Sequence, residues 1–317
     1  MAFFDPAKFT EEALGSLKTQ LTTKAIIAAS GGVDSTVAAA LASRAVGDNL
    51  LAIYVDTGYM RLGESKFVSS MLEDLGVRYK VIDASKRFYE GLKGITDPEQ
   101  KRKIIGELFI RVFEKEAEEY GGKFLVQGTI APDWIESGGG LRDTIKSHHN
   151  VGGLPEDMEM ELCEPIRELY KDEVRSLAEY LKISVSQRQP FPGPGLAVRI
   201  MGEATPERTE VVRKACHIAE EEMELASERN EMELPWQYFA VLIPVKTVGV
   251  QGDVRAYGNT VAVRAVHSYD AMTAQAVDLP YSVLKKISER ITRELKSDVN
   301  RVVYDITDKP PGTIEWE

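Results

Sequence analysis

The sequence predicts an α/β fold, a parallel twisted sheet with helices on both faces, followed by a smaller α+β domain. Three observations lead there. Short apolar runs alternate with helically spaced stretches from Lys24 to about Lys182, the pattern of βαβ units. The segment Gln189–Leu196, QPFPGPGL, puts three prolines and two glycines into eight residues and so forbids helix or central strand. Beyond it comes one long charged helix, then strand-like runs interrupted by a second helix.

Taken in order, Lys24–Ala29, Leu50–Val55, Tyr79–Asp83 and Lys123–Gln127 read as strands. Ser35–Val46 and Glu64–Leu75 lie between them with apolar residues at helical spacing. Sheets of this kind bind ligands beyond the carboxyl ends of their strands. The loops starting at Ser30, Asp56 and Gly128 are therefore the places for a site. A boundary just before Gln189 divides the chain into residues 1–188 and 189–317. In the second part, Pro206 to about Arg229 and Pro280–Leu295 read as helices. Trp236–Ile243, Thr260–Val266 and Arg301–Ile306 read as strands.

Composition narrows the function. A length of 317 residues suits two domains with real cores. Thirty-nine Lys and Arg against fifty Asp and Glu give a net charge of −11, which argues against generic nucleic-acid binding. Two cysteines without a CxxC disfavour both a disulfide framework and a four-ligand zinc site, and read as packed, reduced thiols. No apolar run approaches the ~18 residues that span a bilayer. Met1–Thr10 lacks a basic stretch followed by an apolar one, so the sequence reads as that of a cytoplasmic protein.

Ser30-Gly31-Gly32-Val33-Asp34-Ser35 follows a strand and opens a helix. The glycines let backbone approach a ligand, the helix start offers unpaired N–H groups, and two hydroxyls add donors. That is an anion site of phosphate size. Asp34 is out of place in a pure anion site and suits Mg²⁺; otherwise it caps the helix. Neither GxxxxGK[ST] nor GxGxxG is present.

A second constellation runs from Gln127-Gly128-Thr129 through Asp133 and Glu136 to Lys146, His148 and His149. Asp133 and Glu136 share a face if the segment is helical, and two carboxylates near a phosphate loop suit Mg²⁺. Lys146 can reach a phosphate, and the histidines can donate hydrogen bonds or move protons. Glycines on both sides suit a lid. A third constellation is Lys101-Arg102-Lys103, read as opening a helix. Cations there oppose the helix dipole, so an anion such as a substrate phosphate should offset them. The last residues, KPPGTIEWE, join a rigid turn to Ile314 and Trp316 and read as a docked tail.

SGGxDS after the first strand resembles the pyrophosphate loop of the N-type ATP pyrophosphatases. The segments QGT..PD.IES, IKSHHNVGGLP, PFPGPGLAVR, VGVQGD.R and KPPGTIEWE resemble one branch of that group, the synthetase (B) subunit of two-subunit GMP synthetases, over residues 20 to 317. The resemblance implies an adenine nucleotide alpha hydrolase-like domain and a C-terminal dimerisation domain. It implies ATP and Mg²⁺ as cofactors and xanthosine 5′-monophosphate (XMP) as acceptor, aminated to GMP through an adenylyl intermediate. ATP and pyrophosphate would be held by Ser30, Gly31, Gly32, Val33, Asp34 and Ser35, by backbone around Val55 for adenine, and by Gly128 and Thr129. The catalytic set would be Asp34, Asp133, Glu136, Lys146, His148 and His149, with Asp34 and Asp133 on the metal. XMP would meet Arg102, Gly193, Pro194, Lys309, Ile314 and Glu315, with Lys309 on the phosphate and Glu315 on ribose hydroxyls.

Two partners are expected. The resemblance implies that the C-terminal domain pairs as a homodimer, and Thr260–Val266 and Arg301–Ile306, strand-like runs that need covering on a small sheet, agree with it. A separate glutamine amidotransferase subunit should supply ammonia. Neither Cys163 nor Cys216 has a nucleophile's context, and only about two dozen residues precede the first strand. An NAD synthetase shares the loop but should lack the KPPGTIEWE tail. A tRNA thiolase needs a reactive cysteine pair and a basic surface. A non-catalytic nucleotide sensor could keep SGGVDS but would not need Asp133, Glu136, Lys146 and both histidines.

Overall fold

The computed structural model describes residues 4–136, 160–183, 188–251, 253–269 and 271–317. Lys146, His148 and His149 lie outside the described residues, as does the side chain of Glu136. The described residues form two compact units. One comprises residues up to 57, 63–87 and 106–188, and the other residues 58–62, 88–105 and 189–317.

In chain order the first region carries α1 (Pro6–Gln20), β1 (Ala25–Ala28), α2 (Val33–Val46), β2 (Leu50–Asp56), α3 (Glu64–Asp74) and β3 (Tyr79–Asp83). It continues through α4 (Ser85–Gly91), α5 (Pro98–Tyr120), β4 (Phe124–Val126), α6 (Ala131–Glu136), β5 (Glu161–Cys163) and α7 (Lys171–Tyr180). All five strands are parallel, in the order β3-β2-β1-β4-β5. The central strands β1, β2 and β4 are buried along nearly their whole length, so they read as continuous apolar runs. The chain builds outward from β1 through β2 to β3, then returns to the other side of β1 for β4. That reversal opens a crevice beyond the carboxyl ends of β1 and β4, where open α/β sheets place their ligands. The SGGVDS loop leaves β1 there and the QGT loop leaves β4 beside it.

The alanine-rich centre of α2, Thr36–Ser43, is buried without a break. Small side chains let this helix lie close to β1, β4, α1 and α7, which fixes the direction of its first turn.

The second unit is built on α8 (Pro206–Glu228), β6 (Gln237–Gln251), β7 (Val254–His267), β8 (Gln275–Ala276), α9 (Tyr281–Glu294) and β9 (Val299–Asp305). β6 and β7 form a long antiparallel hairpin, β8 adds antiparallel to β7, and β9 adds parallel to it. Thr205 caps α8 by accepting from Arg208 N at 3.3 Å, with Pro206 in the first turn. α9 buries Val283, Ile287 and Ile291, one residue per turn. The hairpin's outer half is apolar and exposed at Val248, Val250, Val254 and Tyr257. Among the described residues no helix is long and apolar enough to cross a membrane.

Candidate nucleotide sites

The phosphate loop is shaped by its own side chains. Gly31 has φ +76°, and a Cβ there would meet Val68 at 2.9 Å and Glu64 Oε1 at 3.1 Å. Gly32 is the N-cap of α2 and gives its first turn no side-chain acceptor. With no side-chain cap among the described residues, the N–H groups of that turn are left for a ligand, as an anion site requires. Ser30 Oγ accepts from Gly32 N at 3.3 Å and shares a 2.8 Å hydrogen bond with Ser35 Oγ. Ser35 Oγ also reaches Gly32 O at 3.1 Å. The hydroxyls are thus set before any ligand arrives.

The capping alternative for Asp34 does not hold, since α2 has no side-chain cap. Its carboxylate instead takes Lys171 Nζ at 2.6 and 2.9 Å. Sequence reasoning missed Lys171, although a signal existed: it is the first residue of α7, where a cation opposes the helix dipole and needs an anion. The same reasoning missed the Glu64–Arg188 pair. Arg188 grips Glu64 with two hydrogen bonds of 2.8 and 2.5 Å, stacks on Phe67 at 4.3 Å, and backs Gly31.

The QGT loop meets the phosphate loop backbone to backbone. A Cβ on Gly128 would lie 2.7 Å from Asp34 C and Ser35 N. The structure thus brings Gly128 to the first turn of α2 as a spacer. The Thr129 hydroxyl is buried with no hydrogen-bond partner among the described residues, and a ligand oxygen or nitrogen would satisfy it. In β2, Ala52 N bonds Arg78 O and Asp56 O accepts from Ala84 N, so even-numbered residues face β3. Ile53 O accepts from Ala29 N on the β1 side. Val55 therefore turns its N–H and C=O past the end of β1, where a planar base could meet them.

Asp133 Oδ2 accepts from Ile130 N at 3.0 Å and closes the first turn of α6. Among the described residues no group of three His, Cys, Asp or Glu could hold a metal ion. A self-sufficient metal cage is therefore absent from these residues. The donor set still fits Mg²⁺ in its usual nucleotide mode, one or two carboxylates with the rest from phosphate and water. Asp34 is the carboxylate placed for it.

The second unit holds the tail. Buried Arg264 donates to Asp305 Oδ2 at 2.8 Å and to the carbonyls of Thr307, Thr313 and Ile314 at 2.9 Å each. Trp316 Nε1 donates to Asp305 Oδ2 at 2.9 Å. Glu315 takes Arg199 Nε and Nη2 at 3.0 and 2.8 Å and Gln237 Nε2 at 3.0 Å. The carboxylate expected at ribose hydroxyls is thus first an anchor, with about one lone pair left.

The basic triplet needs correction. α5 begins at Pro98, so Lys101 is its fourth residue and closes the first turn, its N–H bonded to Asp97 O at 3.0 Å, rather than opening the helix. Its ammonium is buried, and burial pushes its pKa down while Glu317 opposes that shift. It pairs with Glu317 and donates to Ile200 O at 2.7 Å. Arg102 donates to the main-chain oxygen of Glu317 and lies 3.6 Å from Glu99. In this structure the anion beside both cations is the chain's own Glu317.

Lys309 borders an open cavity of about 480 Å³ lined also by His267, Ser268, Thr273, Gln275 and Asp308. Its backbone pairs with Ala274, and its Nζ donates to Ala271 O at 2.7 Å. In the PFPGPGL loop the glycine that geometry demands is Gly195, at φ +65° with its Cβ position 2.4 Å from Tyr59 O. Gly193 and Pro194 stand one turn earlier, and nothing lies within 4 Å of a Cβ on Gly193.

Comparison with known proteins matches both units. The GMP synthase C-terminal domain family matches residues 223–316, and the NAD synthase family matches residues 8–107. The B-subunit of GMP synthase (glutamine-hydrolyzing) from Thermoplasma acidophilum is 54% identical over 311 residues, 98% of this chain and 99% of that one. The protein of the same name from Thermococcus kodakarensis is 59% identical over 297 residues, 93% and 94% of the two chains. That from Methanocaldococcus jannaschii is 55% identical over 318 residues, 99% and 100% of the two chains.

Proposed function

Since the chain belongs to the B-subunit family of GMP synthase (glutamine-hydrolyzing), a family of carbon–nitrogen ligases, we propose that it aminates XMP to GMP at the expense of ATP. The observation that carries this reading is the uncapped, hydroxyl-lined first turn of α2 in a chain with that full-length kinship. Residues 1–188 serve as the ATP-pyrophosphatase domain and 189–317 as the dimerisation and acceptor domain.

The C2 oxygen of XMP attacks the α-phosphorus of ATP, the α–β bridge breaks, and pyrophosphate departs. Ammonia then adds at C2, the nitrogen gives up a proton to solvent, and AMP leaves with its electron pair, giving GMP. Ser30, Ser35 and the N–H groups of Val33 and Asp34 receive the pyrophosphate, with Lys171 beside them. These donors are already oriented, so they stabilise charge as it moves without reorganising. Val55 backbone takes adenine and Thr129 gives its hydroxyl to the nucleotide. Magnesium, held by Asp34 with Asp133 near the β4 loop, would supply charge neutralisation on the phosphates. Lys309 binds the acceptor phosphate at its cavity, and Ile314 and the remaining lone pair of Glu315 meet the nucleoside. The experiment is direct: the purified chain with ATP, Mg²⁺, XMP and ammonium should yield AMP, pyrophosphate and GMP in equal amounts. ATP hydrolysis without GMP would refute the reading.

Asp34→Asn should leave the fold intact, because the pair it breaks is partly exposed and such pairs contribute ~0–1 kcal/mol. Pyrophosphate release should fall roughly 10–100-fold, the range lost when metal-site support is removed. Undiminished release by the folded variant would refute the metal role.

Lys309→Ala should raise the KM for XMP and leave that for ATP. A charge-assisted bond to phosphate contributes ~1.5–3 kcal/mol, roughly a ten- to hundredfold shift. A rise in the ATP KM alone would place the tail at the wrong nucleotide.

Homodimerisation rests on the hairpin's exposed Val248, Val250, Val254 and Tyr257, an apolar stretch that a symmetric partner would cover. Light scattering at micromolar concentration should give twice the chain mass. A monomer mass would sink it.

A further inference from the structure

We propose that Arg199 is a positioning residue of the acceptor site, one buried guanidinium that holds the Gln189–Pro194 loop and the Glu315 tail in register. This rests on the reading that XMP binds between Lys309, that loop and the tail. Arg199 follows the PFPGPGL segment in sequence and is fully buried. Its Nε and Nη2 form a fork on the Glu315 carboxylate at 3.0 and 2.8 Å. One face of the guanidinium lies 4.0 Å from the ring centre of Phe239 in β6. The ring of Phe191, at the head of the loop, is 5.3 Å away. Phe191 is held again by Arg61, 4.4 Å from its ring, and Arg61 Nη2 donates to the carbonyls of Gln189 and Pro190 at 3.1 and 3.2 Å. All these residues belong to one compact unit.

The chemistry explains why the hub is arginine. A planar guanidinium can grip a carboxylate with two parallel bonds and still offer its face to aromatic rings; an ammonium offers neither. Stability alone does not call for this arrangement. A well-packed apolar group of similar volume often serves a core as well as a buried ion pair. The pair does what an apolar group cannot: it orients Glu315 and leaves that carboxylate one lone pair for the nucleoside. Two walls of one site, far apart in sequence, thereby share a support.

The test compares XMP affinity and kinetics for Phe191→Leu, Glu315→Gln, the double variant, Arg199→Lys and Lys309→Ala. Each single variant at 191, 315 and 199 should raise the KM for XMP about tenfold with the ATP KM unchanged, and Phe191→Leu and Arg199→Lys should keep kcat at saturating XMP within about twofold. Phe191→Leu lies on a partly exposed loop, so it tests the idea even where Arg199→Lys does not fold. Because both walls rest on Arg199, the double variant should fall short of the product of the singles by at least about threefold. Singles whose effects multiply, or variants that lower the unfolding temperature and kcat with no selective change in the XMP KM, would overturn the hub. Unchanged XMP affinity in Lys309→Ala as well would instead show that the acceptor binds elsewhere, and the reading beneath the proposal would fail with it.

Discussion

Replacing Gly128 with alanine should cut ATP-dependent pyrophosphate release by about a hundredfold or more while the chain stays folded. The added methyl would lie 2.7 Å from Asp34 C and Ser35 N and 2.9 Å from Asp34 O. These are backbone atoms at the start of a buried helix, so no side-chain rotation relieves the clash. Either β4 or the first turn of α2 must shift. Overpacking of this kind costs ~1–3 kcal/mol, which a domain of this size survives. The loop does not keep its geometry, and a displacement near 1 Å in a positioning element can cost about 10² in rate. Alanine at Gly15 in α1, where nothing lies within 4 Å, should neither lower the unfolding temperature nor change ATP turnover. Circular dichroism melts and a pyrophosphate-release assay check both. Near-normal release by folded Gly128→Ala would show that the loop tolerates the shift and that its geometry is not the source of the chemistry.

What the sequence discloses and what it hides divide along a physical line. β1, β2, β3 and β4 are legible because each is a short apolar run between turn residues, and their observed ends fall within a residue or two of the expected ones. β5 spans only Glu161–Cys163 and has one buried residue, too little for periodicity to mark. α1 escapes although Asp5 caps it by accepting from Ala7 N and Lys8 N, because its apolar face is thin. The inner halves of β6 and β7 are read correctly. Their outer halves, from Val245 onward, are missed because exposed valines interleaved with Gly and Lys look like loop. Motif residues are found because local chain geometry alone demands them, as at Gly31 and Gly32. Partners are not. Lys171 meets Asp34 across 137 residues and Arg199 meets Glu315 across 116, and no local pattern encodes such pairings. Lys101 is the instructive case: the dipole argument misplaces it at the helix start, and the fold shows that it needs an anion because its ammonium is buried, the anion being Glu317.

The chain should make GMP from ammonium and none from glutamine. Glutamine hydrolysis requires a thiolate beside a base. Both cysteines are unsuited. Cys163 is buried on β5, and burial, reinforced by Glu164, pushes its thiol up to about 11. Its Sγ lies 3.2 Å from Gln20 Oε1, an acceptor that favours the protonated form. Cys216 lies on the buried face of α8, where burial also pushes its thiol up to about 11 despite Arg199 nearby. It bonds to Ala240 O at 3.2 Å and accepts from Ala240 N at 3.4 Å, a packed arrangement closed to substrate. With both thiols pushed above their ordinary range by burial, the thiolate that hydrolysis needs is scarce near neutral pH. Ammonia is therefore expected from elsewhere, and the B-subunit name of the relatives fits the proposal that a second, glutamine-hydrolysing chain supplies it. The comparison is made at fixed ATP, Mg²⁺ and XMP, varying only the nitrogen source. With ammonium the rate should climb as pH rises toward mildly alkaline values, because NH₃ and not NH₄⁺ carries the lone pair that attacks C2. With glutamine it should stay at background until an amidotransferase subunit is added, and Cys163→Ala with Cys216→Ala should leave the ammonium rate unchanged. GMP formed from glutamine by the unaided chain would mean that one of these thiols is activated in a state different from this one, and the separate-subunit reading would be wrong.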